Sequence, residues 1–231
     1  MSVTIATIVK NEAERFLWRA LECWSEVSDQ IVAVDNGSTD ATKEILGQFG
    51  AEIHDFMTPM DGNETLARQF LWDRAVEATP DGWIVHLDAD QCVGGDFRPH
   101  LTGSRVMFSV FDMWGPGVFR SDAWWRVRPW WQAVRMSPEI EAAWVWRDRG
   151  WHCGHVPANA GAVFGPSSHV PYECGILHYG YATPELRERH AAAYEARAHV
   201  LTDGELFHAR TILDADPRTE KLPFEPRWTL L

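Results

Sequence analysis

Apolar and polar positions alternate over the first ninety residues in a repeating order of short apolar runs and longer amphipathic stretches. "VTIATIV" (3–9) is a β-branched run of strand type, and "KNEAERFLWRALECWSEV" behind it places Phe16, Leu17, Ala20, Leu21 and Trp24 at helical spacing. Residues 31–34 of "DQIVAVDNGSTD" form a second apolar run. The turn cluster after it offers Thr39 or Asp40 as the cap of a helix over "ATKEILGQF" (41–49). "AEIHDF" (51–56) predicts a third strand, "ETLARQFLWDRAVEA" (64–78) a helix and "WIVHLDAD" (83–90) a fourth strand. Strands alternating with helices in this way predict a parallel α/β sheet.

Beyond residue 100 the alternation decays. "RVMFSVFDMW" (105–114) predicts a strand, "PEIEAAWVWRDRG" (138–150) a helix closed by glycine, and "PELRERHAAAYEARAHVL" (184–201) a long helix begun by Thr183 and Pro184. The remainder reads as irregular.

Ligands of a parallel sheet bind beyond the carboxyl ends of its strands. The polar residues after strands one, two and four fall there: Asn11 and Glu12, Asp35 and Asn36, Asp88 and Asp90. If the fourth strand runs through "DAD", the two acids point the same way, because side chains alternate with a period of two. Such a pair can hold a positive charge, whereas an isolated Asp-x-Asp usually opens a solvated turn.

Composition narrows the class. No linker, charge block or internal repeat divides the 231 residues, so one domain over 1–231 is expected, with 45% hydrophobic and 23% charged residues, ordinary for a globular chain. No run approaches the roughly 18 apolar residues of a membrane span, and "MSVTIATIVK" enters a strand pattern without a basic leader. A cytoplasmic protein without stable membrane insertion is expected. Cys23, Cys92, Cys153 and Cys174 are scattered, which suits reduced thiols. The net charge of −12 argues against a general nucleic-acid binder, leaving nucleic acid only as an acceptor substrate. Charge is uneven, however: Arg120, Arg126, Arg128, Arg135, Arg147 and Arg149 lie in one stretch crowded with tryptophan.

The ordered set "TIVKNEAERF", "IVAVDNGSTDAT", "ETLARQFLWDRA" and "WIVHLDAD" resembles the nucleotide-sugar-binding half of the family 2 glycosyltransferases. "VDNGSTD" is similar to that family's Asp-Asp-Gly-Ser-x-Asp turn, and "DAD" to its Asp-x-Asp motif. The resemblance implies the GT-A fold, a Rossmann-like, mostly parallel sheet flanked by helices, with the Trp-rich segment serving the acceptor. The donor half would then be 1–95 and the acceptor half, with the C-terminal helix, 96–231. It further implies transfer of a sugar from a nucleotide-diphosphate donor, first of all a UDP-sugar, to an acceptor hydroxyl, with inversion. Thr7, Asn11, Glu12, Asp35, Asn36, Arg68 and Asp88 would bind the donor, Asp35 accepting from a base N–H, and Asp90 would hold Mn²⁺ or Mg²⁺. Such an ion stabilises the charge that grows on a departing nucleoside diphosphate, and hard carboxylates suit it.

Two places in the second half extend the resemblance. In "PEIEAAWVWRDRGWHCGHVP" the offsets to Gly150 and Pro157 put Glu139 where the family carries its base, although Pro138-Glu139 stands for the family's Glu-Asp. As first-turn acids, Glu139 and Glu141 also suit the helix dipole alone. Asp122, Asp112 and Glu141 are the other candidate bases. In "GILHYGYATPELRERH", His178 matches a histidine that reaches back to the metal. A zinc site of His152, Cys153, His155, Cys174 and His178 fits no standard finger spacing. Trp114, Trp124, Trp125, Arg126 and Arg128 are the candidate acceptor face; interleaved aromatics and arginines suit sugar rings, an anionic acceptor or flipped-out bases. Two other classes stay open: a non-catalytic glycan- or nucleic-acid-binding relative, and a nucleotidyltransferase, against which the glycine-free "TIVKNEAERF" counts. The acceptor could be a glycan, a lipid, a protein or a modified DNA base.

Overall fold

A computed structural model of the protein describes residues 1–60, 64–136, 146, 154–157 and 167–231. The helix expected over 138–150, with Glu139, Glu141 and Gly150, lies outside the described residues, as do His152 and Cys153.

The alternation read from the first ninety residues is present as β1 (Ser2–Val9), α1 (Leu17–Val27), β2 (Gln30–Asp35), α2 (Thr42–Gln48), β3 (Glu52–Asp55), α3 (Glu64–Ala78) and β4 (Gly82–His86). Strands β3, β2, β1 and β4 pair side by side in parallel. Both faces are covered, which is why β1 is buried along nearly its whole length and rich in β-branched residues instead of alternating apolar with exposed polar ones. Val3 and Ile5 pack with Leu17, Leu21 and Trp24 of α1 on one side. Ala6, Val32, Val34 and Ile84 pack with Leu71, Trp72 and Ala75 of α3 on the other.

The fourth strand ends sooner than expected. It stops at His86, and Asp88 to Gln91 form a turn closed by a hydrogen bond from Gln91 N to Asp88 O at 2.9 Å. The period-two argument for Asp88 and Asp90 therefore does not apply, and the two carboxylates face different partners. Asp40 sits two residues before the start of α2, where its carboxylate accepts from Thr42 N at 3.0 Å and from Ala13 N at 3.1 Å.

After the turn come β5 (Gln91–Val93), β6 (Arg105–Gly115), β7 (Val118–Arg120), β8 (Arg128–Arg135), β9 (Ser167–His169), β10 (Ile176–His178), α4 (Pro184–Ala196), α5 (Asp203–Thr211) and β11 (Thr219–Lys221). The main path of the sheet is β11-β7-β6-β8-β4-β1-β2-β3. It is parallel at its centre and turns antiparallel at β8, which separates β4 from β6. Much of the stretch expected to be irregular is thus strand. Its apolar positions gave no clean period because the β6–β8 register shifts between Val106 and Met107. The helix expected over 184–201 ends at Ala196, and a second helix that was not expected, α5, is started beyond it by a capping box of Thr202 and Glu205. Among the described residues no helix is long and apolar enough to cross a membrane. Cys23, Cys92 and Cys174 are free and buried.

Candidate active site

Three groups of polar residues meet beyond the carboxyl ends of the parallel strands. The first joins the turns after β1 and β2. Asn11, with a left-handed φ of 53°, accepts from Thr39 N at 2.8 Å through Oδ1 and takes the Ser38 hydroxyl on its own N–H at 2.9 Å. Asp35 is buried, and its Oδ2 accepts from the N–H groups of Gly37 and Ser38 at 3.1 and 2.9 Å. Its Oδ1 is buried with no hydrogen-bond partner among the described residues, and so is Thr7 Oγ1. Buried polar atoms are nearly always paired, so each orphan acceptor points to a missing donor. Asn36 is turned inward, its amide donating to the carbonyls of Phe56 and Thr58.

The second group surrounds Arg68 of α3. The guanidinium is buried, bonded to Glu64 at 2.7 and 2.9 Å, to His86 and, at 3.4 Å, to Asp88. His155 stacks on His86 at 4.8 Å and places its Nε2 3.4 Å from Asp88 Oδ2. Burial, with Arg68 adding to it, drives the His86 pKa well down, so a neutral ring accepts from Arg68. Burial would raise Asp88, but Arg68 and His155 outweigh it and hold the carboxyl well below the usual range. Ligand atoms of His86, Asp88 and His155 come within 4.8 Å of one another, a spacing a metal could bridge. Arg68 already fills that role. A dication there would sit against a guanidinium, so this group is a hydrogen-bonded network that holds Asp88.

The third group lies around Gly180. A Cβ there would stand 2.8 Å from His178 Nε2, 2.9 Å from Asp90 Oδ2 and 3.1 Å from His190 Nε2. The Gly180 backbone therefore packs closely against these groups, and only glycine fits there. Asp90 Oδ2 and His178 Nε2 are 3.6 Å apart, and the other ring nitrogen of His178 is 2.8 Å from Asp112 Oδ1. A carboxylate behind a histidine fixes the ring and its tautomer, the usual support of a metal-binding imidazole. Burial opposes charge on His178, but Asp90 and Asp112 prevail and raise its pKa well above the ordinary value. Burial likewise opposes charge on Asp90, which His178 outweighs. Glu12 is beside them: burial pushes it up to about 7 and the Asp90 charge adds to this, against the pull of its Arg15 partner. An oxygen donor, an imidazole and the space between them fit a Mn²⁺-type ion, which Asp90 and His178 would hold.

The tryptophan segment is divided. Trp125 is 1% exposed and packs with Tyr181, Tyr194 and Ile212, so it offers an acceptor no surface; as a member of the acceptor face it is corrected to core. Trp114 is partly buried between the guanidiniums of Arg120 and Arg187, 4.9 and 4.8 Å from its ring. Trp124 and Arg126 are exposed, and Arg128 is partly so, with its guanidinium 5.7 Å from the Trp130 ring. His155, Cys174 and His178 are not gathered as a zinc set: His155 is on Asp88, Cys174 on the carbonyl of Asp96 and His178 on Asp112.

His190, Tyr181, His86 and the support role of Asp112 went unread in the sequence. Asp112 and His86 did leave a signal, a polar side chain interrupting an apolar strand. His190 left none, since a histidine on a polar helix is unremarkable.

Acids and histidines are thus gathered beyond the ends of the parallel strands, where ligands of such a sheet bind. Residues 4–102, which hold Asp35, Arg68, Asp88 and Asp90, match the family model Glycosyl transferase family 2. Similar solved structures include glucosyl-3-phosphoglycerate synthase from Mycobacterium tuberculosis with Mn²⁺, UDP-glucose and phosphoglyceric acid. There the identity is 20% and the TM-score 0.36, over 48% of this chain and 44% of that one. The same enzyme with Mn²⁺ and UDP-glucose aligns at 20% identity and a TM-score of 0.35, over 50% and 45%. The chain therefore spans less than half the length of that synthase, a likeness too partial to carry its substrates across. No curated protein matches the chain.

Proposed function

We propose that the protein is a divalent-metal-dependent glycosyltransferase that moves a sugar from a nucleotide-diphosphate donor, a UDP-sugar, to an acceptor hydroxyl with inversion. The observation that carries this reading is the Asp90–His178 pair, 3.6 Å apart beside Gly180. Asp35 supports it, with a buried oxygen still lacking a donor.

On this reading Asp35 Oδ1 accepts the N–H of the base, while Oδ2 keeps the turn around it rigid. Thr7 Oγ1 is a second polar contact in the same cleft. Arg68 keeps Asp88 ionised and oriented toward the donor. Asp90 and His178 hold the divalent ion, which when bound supplies positive charge to the departing diphosphate. Glu139, outside the described residues, takes the proton of the acceptor hydroxyl, as its offset from Gly150 suggests. Trp124, Arg126 and Arg128 form the exposed acceptor face; a glycan, lipid, protein or modified base could present the hydroxyl.

The test is a thermal-shift screen of nucleotide sugars with and without Mn²⁺, since a ligand of the native state raises the melting temperature. A UDP-sugar should shift it in Mn²⁺ only. The same screen on Asp35→Asn should lose the nucleotide response while Mn²⁺ alone still binds. A shift that survives excess chelator, or no shift with any nucleotide sugar, would overturn the reading.

A further inference from the structure

Metal-dependent transfer leaves Trp130 and Gln132 of β8 without a part. Because β8 runs antiparallel to β4, with Val85 against Ala133, the start of β8 lies at the carboxyl end of β4, where the turn with Asp88 follows. It is on the other side of β4 from β1 and β2. Trp130 is 42% exposed there, with its ring 6.2 Å from that of His155 and 5.7 Å from the Arg128 guanidinium. Gln132 is the extra residue of the β6–β8 register shift, since Val106 faces Ala133 and Met107 faces Trp131. Bulges of this kind recur beside active sites, where they re-aim a side chain. Val134 and Ile84 pack in the cluster under α3, and two residues along their strands Gln132 and His86 fall on the same face.

Two polar groups on that face lack partners. Gln132 is fully buried, yet neither its Oε1 nor its Nε2 is hydrogen-bonded among the described residues. His155 stacks on His86, turns Nε2 to Asp88 and leaves Nδ1 buried and unpaired. Its backbone is held, because its carbonyl accepts from Trp72 Nε1 at 3.2 Å. Leaving such atoms unpaired costs stability, so orphans of both kinds near one exposed aromatic point to a ligand with donors and acceptors. We propose that Trp130, His155 and Gln132 form the subsite of a carbohydrate acceptor, which deepens the glycosyltransferase reading above and rests on it. A sugar ring has an apolar C–H face to lie on Trp130 and a rim of hydroxyls. Each hydroxyl both donates and accepts, so it can meet either end of the amide and the imidazole nitrogen in either protonation state. Beside Asp88, and across β4 from the turns that would hold the nucleoside, such a ring lies next to the donor and not on it.

The experiment is saturation-transfer NMR on the whole chain with Mn²⁺ and UDP, on the parent, Trp130→Ala and Gln132→Met. The probes are the methyl glycosides of glucose, galactose and mannose. At least one should be saturated at its ring C–H groups in the parent, and Trp130→Ala should weaken it about tenfold, the loss expected of an aromatic anchor. UDP binding, followed by thermal shift, should be unchanged in both variants. Gln132→Met removes the orphan amide, so it should melt no lower than the parent while binding the glycoside about fivefold more weakly. A lower melting temperature with glycoside affinity intact makes Gln132 structural and overturns its part. No glycoside binding in a parent that binds UDP overturns the proposal, as does Trp130-dependent binding of a hydroxymethylcytosine oligonucleotide or of decanol in its place. Variants that weaken UDP-glucose but not the free glycosides give the ring to the donor, and the proposal fails. If UDP does not bind the parent either, the glycosyltransferase reading beneath it falls too. Trp130 is exposed, so its variant decides the matter if Gln132→Met does not fold.

Discussion

His178 and Asp112 are register partners on the neighbouring parallel strands β10 and β6, and their side chains meet with Nδ1 and Oδ1 2.8 Å apart. The sheet itself therefore aligns the imidazole, leaving Nε2 to face Asp90. Asp112→Asn keeps the shape but removes the negative charge. It should cost about 10- to 100-fold in Mn²⁺ affinity, the range for outer-shell partners, with little change in melting temperature. Loss of activity with unaltered Mn²⁺ binding would instead mark Asp112 as the general base.

The same contacts set a pH dependence. Asp90 and Asp112 outweigh burial and raise the pKa of His178 well above 6.5, so the metal-free protein carries this proton at neutral pH. A metal must displace it. Mn²⁺ affinity should therefore rise with pH through and beyond neutrality, and titrations in buffers of different ionisation enthalpy should show proton release. For stability the sign is opposite: the His178 contribution is full below about 6.5, the unfolded value, and is lost as pH rises through the higher folded value. Denaturant melts in chelator check this, and a Mn²⁺ affinity independent of pH would contradict it.

Glu12 opposes stability in the metal-free protein. Burial chiefly, and then the Asp90 charge, move its pKa from 4.5 to about 7 despite Arg15. The folded state thus binds more protons than the unfolded one between those values, and stability falls as pH rises from about 4.5 to about 7. At roughly 1.4 kcal/mol per pH unit the penalty is about 3 kcal/mol. Glu12→Gln should be more stable than the parent at pH 8 and nearly equal to it at pH 4.5. Equal differences at both pH values would show that Glu12 does not titrate this way.

Much of the first ninety residues could be read in the sequence because its signals are local. The runs of β1, β2 and β4 are apolar on both faces, and the polar residues that follow them had to lie at one edge. The third cluster could not be read so far. His178 was found by resemblance, but its partners Asp112 and His190 reach it through register and helix packing, which no short window contains. Composition misled about Trp125: tryptophans among arginines suggested an open face, yet Arg120 is itself buried, paired with Asp122 and Asp214. An arginine with two carboxylates and two aromatic rings is a core residue, whatever its charge.

That arrangement gives a further expectation. Arg120 bonds Asp122 and Asp214 at 2.5 Å each and lies over Trp125 at 4.9 Å, fastening β7 to the loop that follows α5. Arg120→Met should cost about 3 kcal/mol, the low end for a broken buried pair, since both acids reach water. Replacing exposed Arg126 and half-exposed Arg128 together by Gln should leave the melting temperature near that of the parent while weakening an anionic acceptor in a salt-dependent way. A large stability loss in the double variant would make that surface structural.

The insertion of β8 between β4 and β6 also governs how the chain can fold. The residues that close the edge of β4 are made about fifty positions after their partners, Trp83 pairing with Arg135 and Val85 with Ala133. Until they arrive, β4 offers an unpaired backbone edge flanked by side chains that are all buried in the finished protein. Such an edge recruits other strands, and pairing across long sequence separations is slow. A nascent or truncated chain ending near residue 102 would hold Glu12, Asp35, Asp88 and Asp90 yet leave this edge bare, so the cover of the β4 edge resides in the part of the chain that the family match does not reach.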